Sequence, residues 1–323
     1  MPHMIFWEME KQPDFLSRNI VGMTTPNTSA TMQPPIIAYA VERVYQATGD
    51  EAFKDAALPV LTGFYRWLRE MRDPDNDGLI AVIQPEEAGT DCSPKYDEVL
   101  GLEELSNQGF ITALRKVYAA YEPLRGDDHR ILAADLFHVE DVLVNSIYVM
   151  GLRSLARLLG DAPEAAEFNR EADKTRDALL AKCWDEEVGA FFDLSGVAEK
   201  PLKEVTISSL MPLVMEDLPR PIVERLVNTW VTDPKHFWTP YPLPSVPASD
   251  PKFMPGNPRG FIWRGPSWIN TNWFLSPALR RHGYADLADT IVAKSQECIE
   301  KSGFREYYEP FTAEGLGARD FGW

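Results

Sequence analysis

"VYQATGDEAFKDAALPVLTGFYRWLREMRDPDNDGLI", Val44 to Ile80, sets the architecture. It reads as a helix end, a turn at Gly49, a second helix of about 20 residues, and an exit through Gly78. Phe53, Ala57, Val60, Phe64 and Leu68 recur at helical spacing, so one face of the long helix is apolar. The same grammar returns in "LARLLGDAPEAAEFNREADKTRDALLAKCWDEEVGAFFD" (Leu155–Asp193) and in "LRRHGYADLADTIVAKSQECIEKSGFREYYEP" (Leu279–Pro310). Asp50 and Asp161, each just after a glycine, are expected as N-caps or first-turn acids.

Repeated helical hairpins bury their faces only by stacking on neighbours. The intervening segments Pro35–Gln46, Asn107–Tyr121, Val139–Leu159, Ile207–Met215 and Ser267–His282 also read as helices. "VEDVLVNSIYVMGLRSLARLL" (Val139–Leu159) is apolar around much of its circumference, as a helix packed on several sides must be. The expected fold is an α/α toroid of alternating inner and outer helices, with Val139–Leu159 and Ser267–Arg281 inside. An open helical solenoid serving as a binding scaffold is the alternative. In a toroid the turns after Asp77, Val188 and Ser302 emerge on one rim.

The chain has 323 residues, 45% hydrophobic and 11% aromatic, enough for a large core. A formal charge of −17 without a basic run argues against nucleic acid and anionic membrane as partners. No run of 18 apolar residues occurs, and the first 20 residues lack a signal-peptide pattern. Cys92, Cys183 and Cys298 have no metal-type spacing and fit a reducing compartment, so a cytoplasmic location is expected. His3, His129, His138, His236 and His282 form no zinc pattern, and no cofactor is expected. "DPDNDG" (Asp73–Gly78) imitates a calcium loop, but Gln84 stands where the bidentate Glu belongs; a tight polar turn is the expectation.

Two irregular regions carry the chemistry. "IQPEEAGTDCSPKYDE" (Ile83–Glu98) is acid-rich and broken by Gly89 and Pro94, so it is no regular helix. His236–Trp273 is dense in proline and aromatic residues, as functional loops of this length are. There Tyr241, Trp263 and Trp268 offer flat apolar faces, and Arg264, Asn270 and Asn272 offer directional hydrogen bonds, a set suited to a sugar. Trp268 and Trp273 fit core positions equally well, and Arg264 fits a rim salt bridge equally well. From the residues alone, Asp91 is a candidate acid or an Asx-turn residue, and Glu306 and Glu309 compete as the base.

"EEAGTDCSPKYD" (Glu86–Asp97) resembles the W-E-S-G-x-D-x-S-P-R-W-D signature of family 63 glycoside hydrolases. "WRGPSWINTNW" (Trp263–Trp273) and "FREYYEPFTAEGLG" (Phe304–Gly317) resemble two further signatures. "MPHMIFW", "TMQPPIIAYAV" and "FHVEDVLVNSIY" extend the likeness along nearly the whole chain. It points to the bacterial branch containing mannosylglycerate and glucosylglycerate hydrolases, with trehalases more distant. The resemblance implies an all-α (α/α)6 barrel forming a single catalytic domain over residues 1–323. It implies inverting hydrolysis of a small α-linked glucoside or mannoside, with Asp91 as general acid and Glu306 as general base. Both readings together name Gln33, Glu87, Gly89, Tyr241, Trp263, Arg264, Trp268, Tyr307 and Trp323 as sugar contacts; Glu87 fits equally a role in orienting its loop.

Three departures qualify this. Glu86 replaces the signature Trp, and Ile262 replaces a Tyr before W-R-G-P. The Glu86 charge is expected to repel an anionic aglycone such as glycerate, favouring a neutral α-glucoside. Compared with the family, the barrel is expected to lack its first helices and its last helix. Competing functions are a non-catalytic sugar-binding toroid and a sugar epimerase or isomerase; the latter chemistry wants histidines, and the aromatic loop carries only His236.

Overall fold

The computed structural model describes residues 23–24, 28–29, 31–102, 105–124, 127–256 and 260–321. The first signature heptapeptide and Trp323 therefore lie outside the described residues. The opening repeat folds as read. Helix α1 (Ile37–Thr48) ends at Gly49, and Asp50 caps α2 (Glu51–Arg72) by accepting the Phe53 N–H at 3.0 Å. Asp161 is no cap. Helix α6 (Pro163–Ala178) starts two residues later with Ala162 at its N-cap, where Pro163 needs no partner for a missing N–H. Between these lie α3 (Asn107–Tyr121), α4 (Asp128–Ala133) and α5 (Val142–Leu159). After them come α7 (Arg220–Leu226), α8 (Ile269–Arg281) and α9 (Ala285–Ser302). The expected helix at Ile207–Met215 is a tighter 3-10 segment, Ile207–Val214, with Pro212 inside it.

Helix α5 is the hub. It packs against α1, α2, α6 and the Ile207–Val214 segment, which is why it is apolar all round. It is long and apolar enough to cross a membrane by composition, yet 78% of it is buried inside the protein. The Ile207–Val214 segment packs in turn on α8, and Tyr39 of α1 meets Trp273 of α8 edge-on at 6.1 Å. An inner layer of α1, α5, Ile207–Val214 and α8 is thus backed by α2, α6 and α9.

The protein is helix-rich rather than strictly all-α, because the connections pair as short antiparallel strands. Val82 bridges Val139, Val139–Glu140 pairs with Leu194–Ser195, and that strand pairs with Lys200–Pro201. The exits from α2 and α6 therefore meet, as a shared rim requires. Ser267 bridges both Pro244 and Tyr308, joining the aromatic loop to the hairpin of Arg305–Tyr308 and Gly315–Arg319. In the Asp73–Gly78 turn, Asp73 accepts the N–H groups of Asp77 and Gly78 at 2.9 and 3.0 Å. Asp75, Asp77, Glu140 and Glu199 converge beside it, and the Lys182 ammonium lies 2.5 Å from Asp77 and 2.8 Å from Glu199.

Gly151 in α5 allows three elements to meet. A methyl group there would come within 2.7 Å of the Pro35 carbonyl oxygen and would collide with the Tyr65 hydroxyl that donates to it. Gly63 in α2 faces open space. Gly151→Ala is expected to cost about 1–3 kcal/mol by overpacking. Gly63→Ala is expected to add about 0.5–1 kcal/mol through helix propensity. Urea unfolding of both variants checks the pair.

Candidate active site

Three buried cations clamp the acid-bearing loop. Arg72, at the end of α2, grips Glu87 with two bonds of 2.6 and 2.7 Å, and both side chains are wholly buried. Glu87 also accepts the N–H groups of Met32 at 3.0 Å and Ile83 at 2.9 Å, so its oxygens are taken up within the protein. Lys95 reaches Asp141 at 2.6 Å and Asp193 at 2.9 Å, tying the loop to the α5 N-terminus. Asp141 in turn accepts the Leu143 and Val144 N–H groups and the Tyr96 hydroxyl. Arg264 donates to the Cys92 carbonyl at 2.9 Å and pairs with Asp97, joining the loop to the second signature.

Held this way, the chain turns sharply around Asp91. Cys92 lies in the left-handed region at φ 59°, unusual for a residue with a side chain. Asp91 is partly exposed but sits deep among other groups. Loss of hydration pushes its carboxyl up to about 6; its backbone N–H opposes this, and the charge of Glu306 adds to it. The Glu306 charge thus reaches Asp91 although 215 positions separate the two in the chain.

Glu306 sits on the strand Arg305–Tyr308 and accepts the Ala318 N–H of the paired strand at 2.9 Å. Gly317 has φ +67° and no side chain, and a methyl group there would meet the Glu306 carboxylate at 2.5 Å. Next to it, Trp263 stacks on Trp268 at 3.9 Å between centroids, and Trp268 packs against Tyr307 at 4.7 Å.

A cavity of about 720 Å³ runs between these elements. It is lined by Ala88–Thr90 on the acid side and by Phe304, Arg305 and Tyr308 on the hairpin side. Gln33, Trp263 and Asn270 add to its wall, together with apolar Ile36, Ile147 and Phe274. Of the expected sugar contacts, Gln33, Gly89 and Trp263 line it. Glu87 and Arg264 do not: each is fully buried in an ion pair and organises the loop. Trp268 and Tyr307 form the stack behind Trp263. Tyr241 lies beneath Lys294 and Lys301 and packs with Cys298 and Tyr308, so it supports the rim. Trp273, suited by sequence to the core, lines the cavity and is 52% exposed.

The domain model for the mannosylglycerate hydrolase MGH1-like glycoside hydrolases matches residues 1–323. The chain belongs to this family. Among its relatives, this glycoside hydrolase is 30% identical to the mannosylglycerate hydrolase of Thermus thermophilus, across 100% of this chain and 82% of that one. It is 28% identical to the glucosylglycerate hydrolase of Mycolicibacterium hassiacum, across 92% of this chain and 73% of that one. The crystal structure of a family 63 mannosylglycerate hydrolase from Thermus thermophilus with Tris superposes with a TM-score of 0.88 at 29% identity, covering 98% of this chain and 80% of that one. Yeast neutral trehalase shares the fold at a TM-score of 0.62 and 15% identity, covering 90% of this chain and 61% of that one.

Arg72, Lys95, Tyr118, Arg305 and Gly317 were not singled out by sequence. Lys95, Arg305 and Gly317 lie inside the quoted signatures, so their signal was present; Arg72 looks like any cation at a helix C-terminus. Gly317→Ala is expected to displace the Glu306 carboxylate and, if that group acts in the reaction, to lower kcat at least about 10-fold. A stability change under about 2 kcal/mol should accompany it. Steady-state kinetics beside urea unfolding separate the two effects.

Proposed function

We propose that the chain is an inverting α-glycosidase acting on a small α-mannoside or α-glucoside, with Asp91 as general acid and Glu306 as general base. The observation that carries this is the cavity whose walls include Ala88–Thr90, directly before Asp91, and Phe304 and Arg305, directly before Glu306; the reach of the Glu306 charge onto Asp91 supports it. Inversion needs two such groups about 6.5–9.5 Å apart, leaving room for a water. Asp91 passes its proton to the glycosidic oxygen as the C1–O bond breaks. Glu306 takes a proton from the water that attacks C1 from the opposite face. Trp263 offers an apolar wall to the pyranose, and Gln33 and Asn270 offer hydrogen bonds to its hydroxyls.

For the aglycone we infer a small carboxylate of the glycerate type, as the names of the relatives suggest. Sequence alone favoured a neutral aglycone because of the Glu86 charge. Burial, with the neighbouring Asp91 charge, pushes Glu86 up to about 8, so at neutral pH it is mostly protonated and its repulsion of an anion is weakened. Among the described residues Arg305 is the cation in the cavity wall; its Nε has no hydrogen-bond partner among them, and one Nη donates to the Gly317 carbonyl at 3.0 Å. We read residues 1–323 as one catalytic domain built on an (α/α)6 barrel, and the two helical layers support that. Three unpaired cysteines fit a cytoplasmic setting.

Asp91→Asn and Glu306→Gln are each expected to lower kcat on α-glucosylglycerate about 10²–10⁴-fold. Asp91→Asn should recover on an α-glucosyl fluoride, whose leaving group needs no proton. An Asp91→Asn enzyme with undiminished turnover of the glycerate glycoside would remove the general acid from this account. Arg305→Gln should lower kcat/KM for α-glucosylglycerate about 10–100-fold, the worth of one charge-assisted hydrogen bond. A neutral α-glucoside should change less than about threefold. Equal losses on both substrates would show that Arg305 does not read the carboxylate.

A further inference from the structure

Glu86 is 8% exposed. One carboxyl oxygen accepts the Tyr118 hydroxyl of α3 at 2.8 Å, and the other has no hydrogen-bond partner among the described residues. Burial and the adjacent acids hold the Tyr118 phenol protonated, so it remains a donor. Among the described residues, the charged and titratable groups around Glu86 and Asp91 leave no cation paired with either. Glu87 is held by Arg72, which also engages Asp128. Arg264, the cation nearest Cys92, is paired with Asp97. The Cys92 thiol is pushed up by burial and stays neutral. Glu306 faces Asp91 from the hairpin and adds further negative charge, and Arg305 lies in the cavity wall.

Two acids on one buried loop without a counter-cation do not both ionise cheaply. We propose that Glu86 and Asp91 hold one proton between them across neutral pH, with Glu86 as the positioning residue that keeps a proton available to the acid. This rests on the reading of Asp91 as general acid. The pair loses its protons in two steps, the second displaced to higher pH by burial and by the charge that the first leaves behind. Between them the usual form has the proton on Glu86, and the reactive form has it on Asp91 with Glu86 as the anion. Donation moves that proton to the glycosidic oxygen as C1–O breaks. Both groups are then carboxylates, and the pair takes up one proton from solvent before the next turnover.

The test is the pH dependence of kcat/KM on α-glucosylglycerate. In the unmodified enzyme the alkaline limb should fall at about pH 8, where the pair loses its last proton. In Glu86→Gln the limb should move at least about one pH unit lower, as separation of an interacting pair requires, with turnover persisting below it. Tyr118→Phe removes a bond that favours the Glu86 anion, so its limb should move to higher pH. A merely structural role for Glu86 would not shift the limb in opposite directions in the two variants. An unmoved limb in Glu86→Gln, or a folded Glu86→Gln inactive at every pH, overturns the shared proton. Full activity of Asp91→Asn instead overturns the underlying assignment, so the two failures are distinguishable.

Discussion

The Arg72–Glu87 pair is the constraint on which the acid loop depends. Both side chains are wholly buried, and together they reach Met32, Ala81, Ile83 and Asp128. Removing one partner of such a pair leaves a stranded charge and costs about 3–5 kcal/mol. That rigidity fixes the Pro85–Glu87 turn, and with it the direction in which the chain travels toward Asp91. Lys95 and Arg264 repeat the device farther along, so the loop is tied in turn to α2, α5 and the aromatic segment.

The same clamps sort the acids by role. Glu87, Asp97, Asp141 and Asp193 each meet a buried cation, and they hold structure. Glu86 and Asp91 meet none among the described residues, so loss of hydration dominates and both are pushed toward the protonated form. A carboxyl that still carries its proton near neutrality is what protonation of a leaving group requires. Glu306 differs again: it stands on a hairpin, anchored by the Ala318 N–H, with Gly317 leaving it space. In the proposed mechanism one acid-rich loop thus supplies scaffold and acid by the placement of three cations, while the base comes from a separate element.

Hairpin repeats were legible in the sequence because helix period and turn residues are local signals. The α2 cap at Asp50 and the all-round burial of α5 follow directly from them. The signatures are what single out Asp91 and Glu306 as the carboxyls proposed to act. The failures share a cause. Arg264, Trp268 and Tyr241 have the chemistry of sugar contacts, but whether such a side chain faces a cavity or a neighbouring acid depends on long-range packing. Asp97 lies 167 positions before Arg264, and nothing local to "WRGP" announces the pair. Glu86 is the converse: its charge was plain in the sequence, and only burial beside Asp91 shows that it is mostly protonated at neutral pH.

Inversion by Asp91 and Glu306 is the central claim, and the anomer of the first sugar released tests it most directly. Proton NMR during early hydrolysis of α-glucosylglycerate should show the β-anomer appearing first, with α-glucose following only by mutarotation. Immediate release of the α-anomer would mean a retaining, two-displacement reaction and would contradict the assignment of Glu306 as a base acting on water.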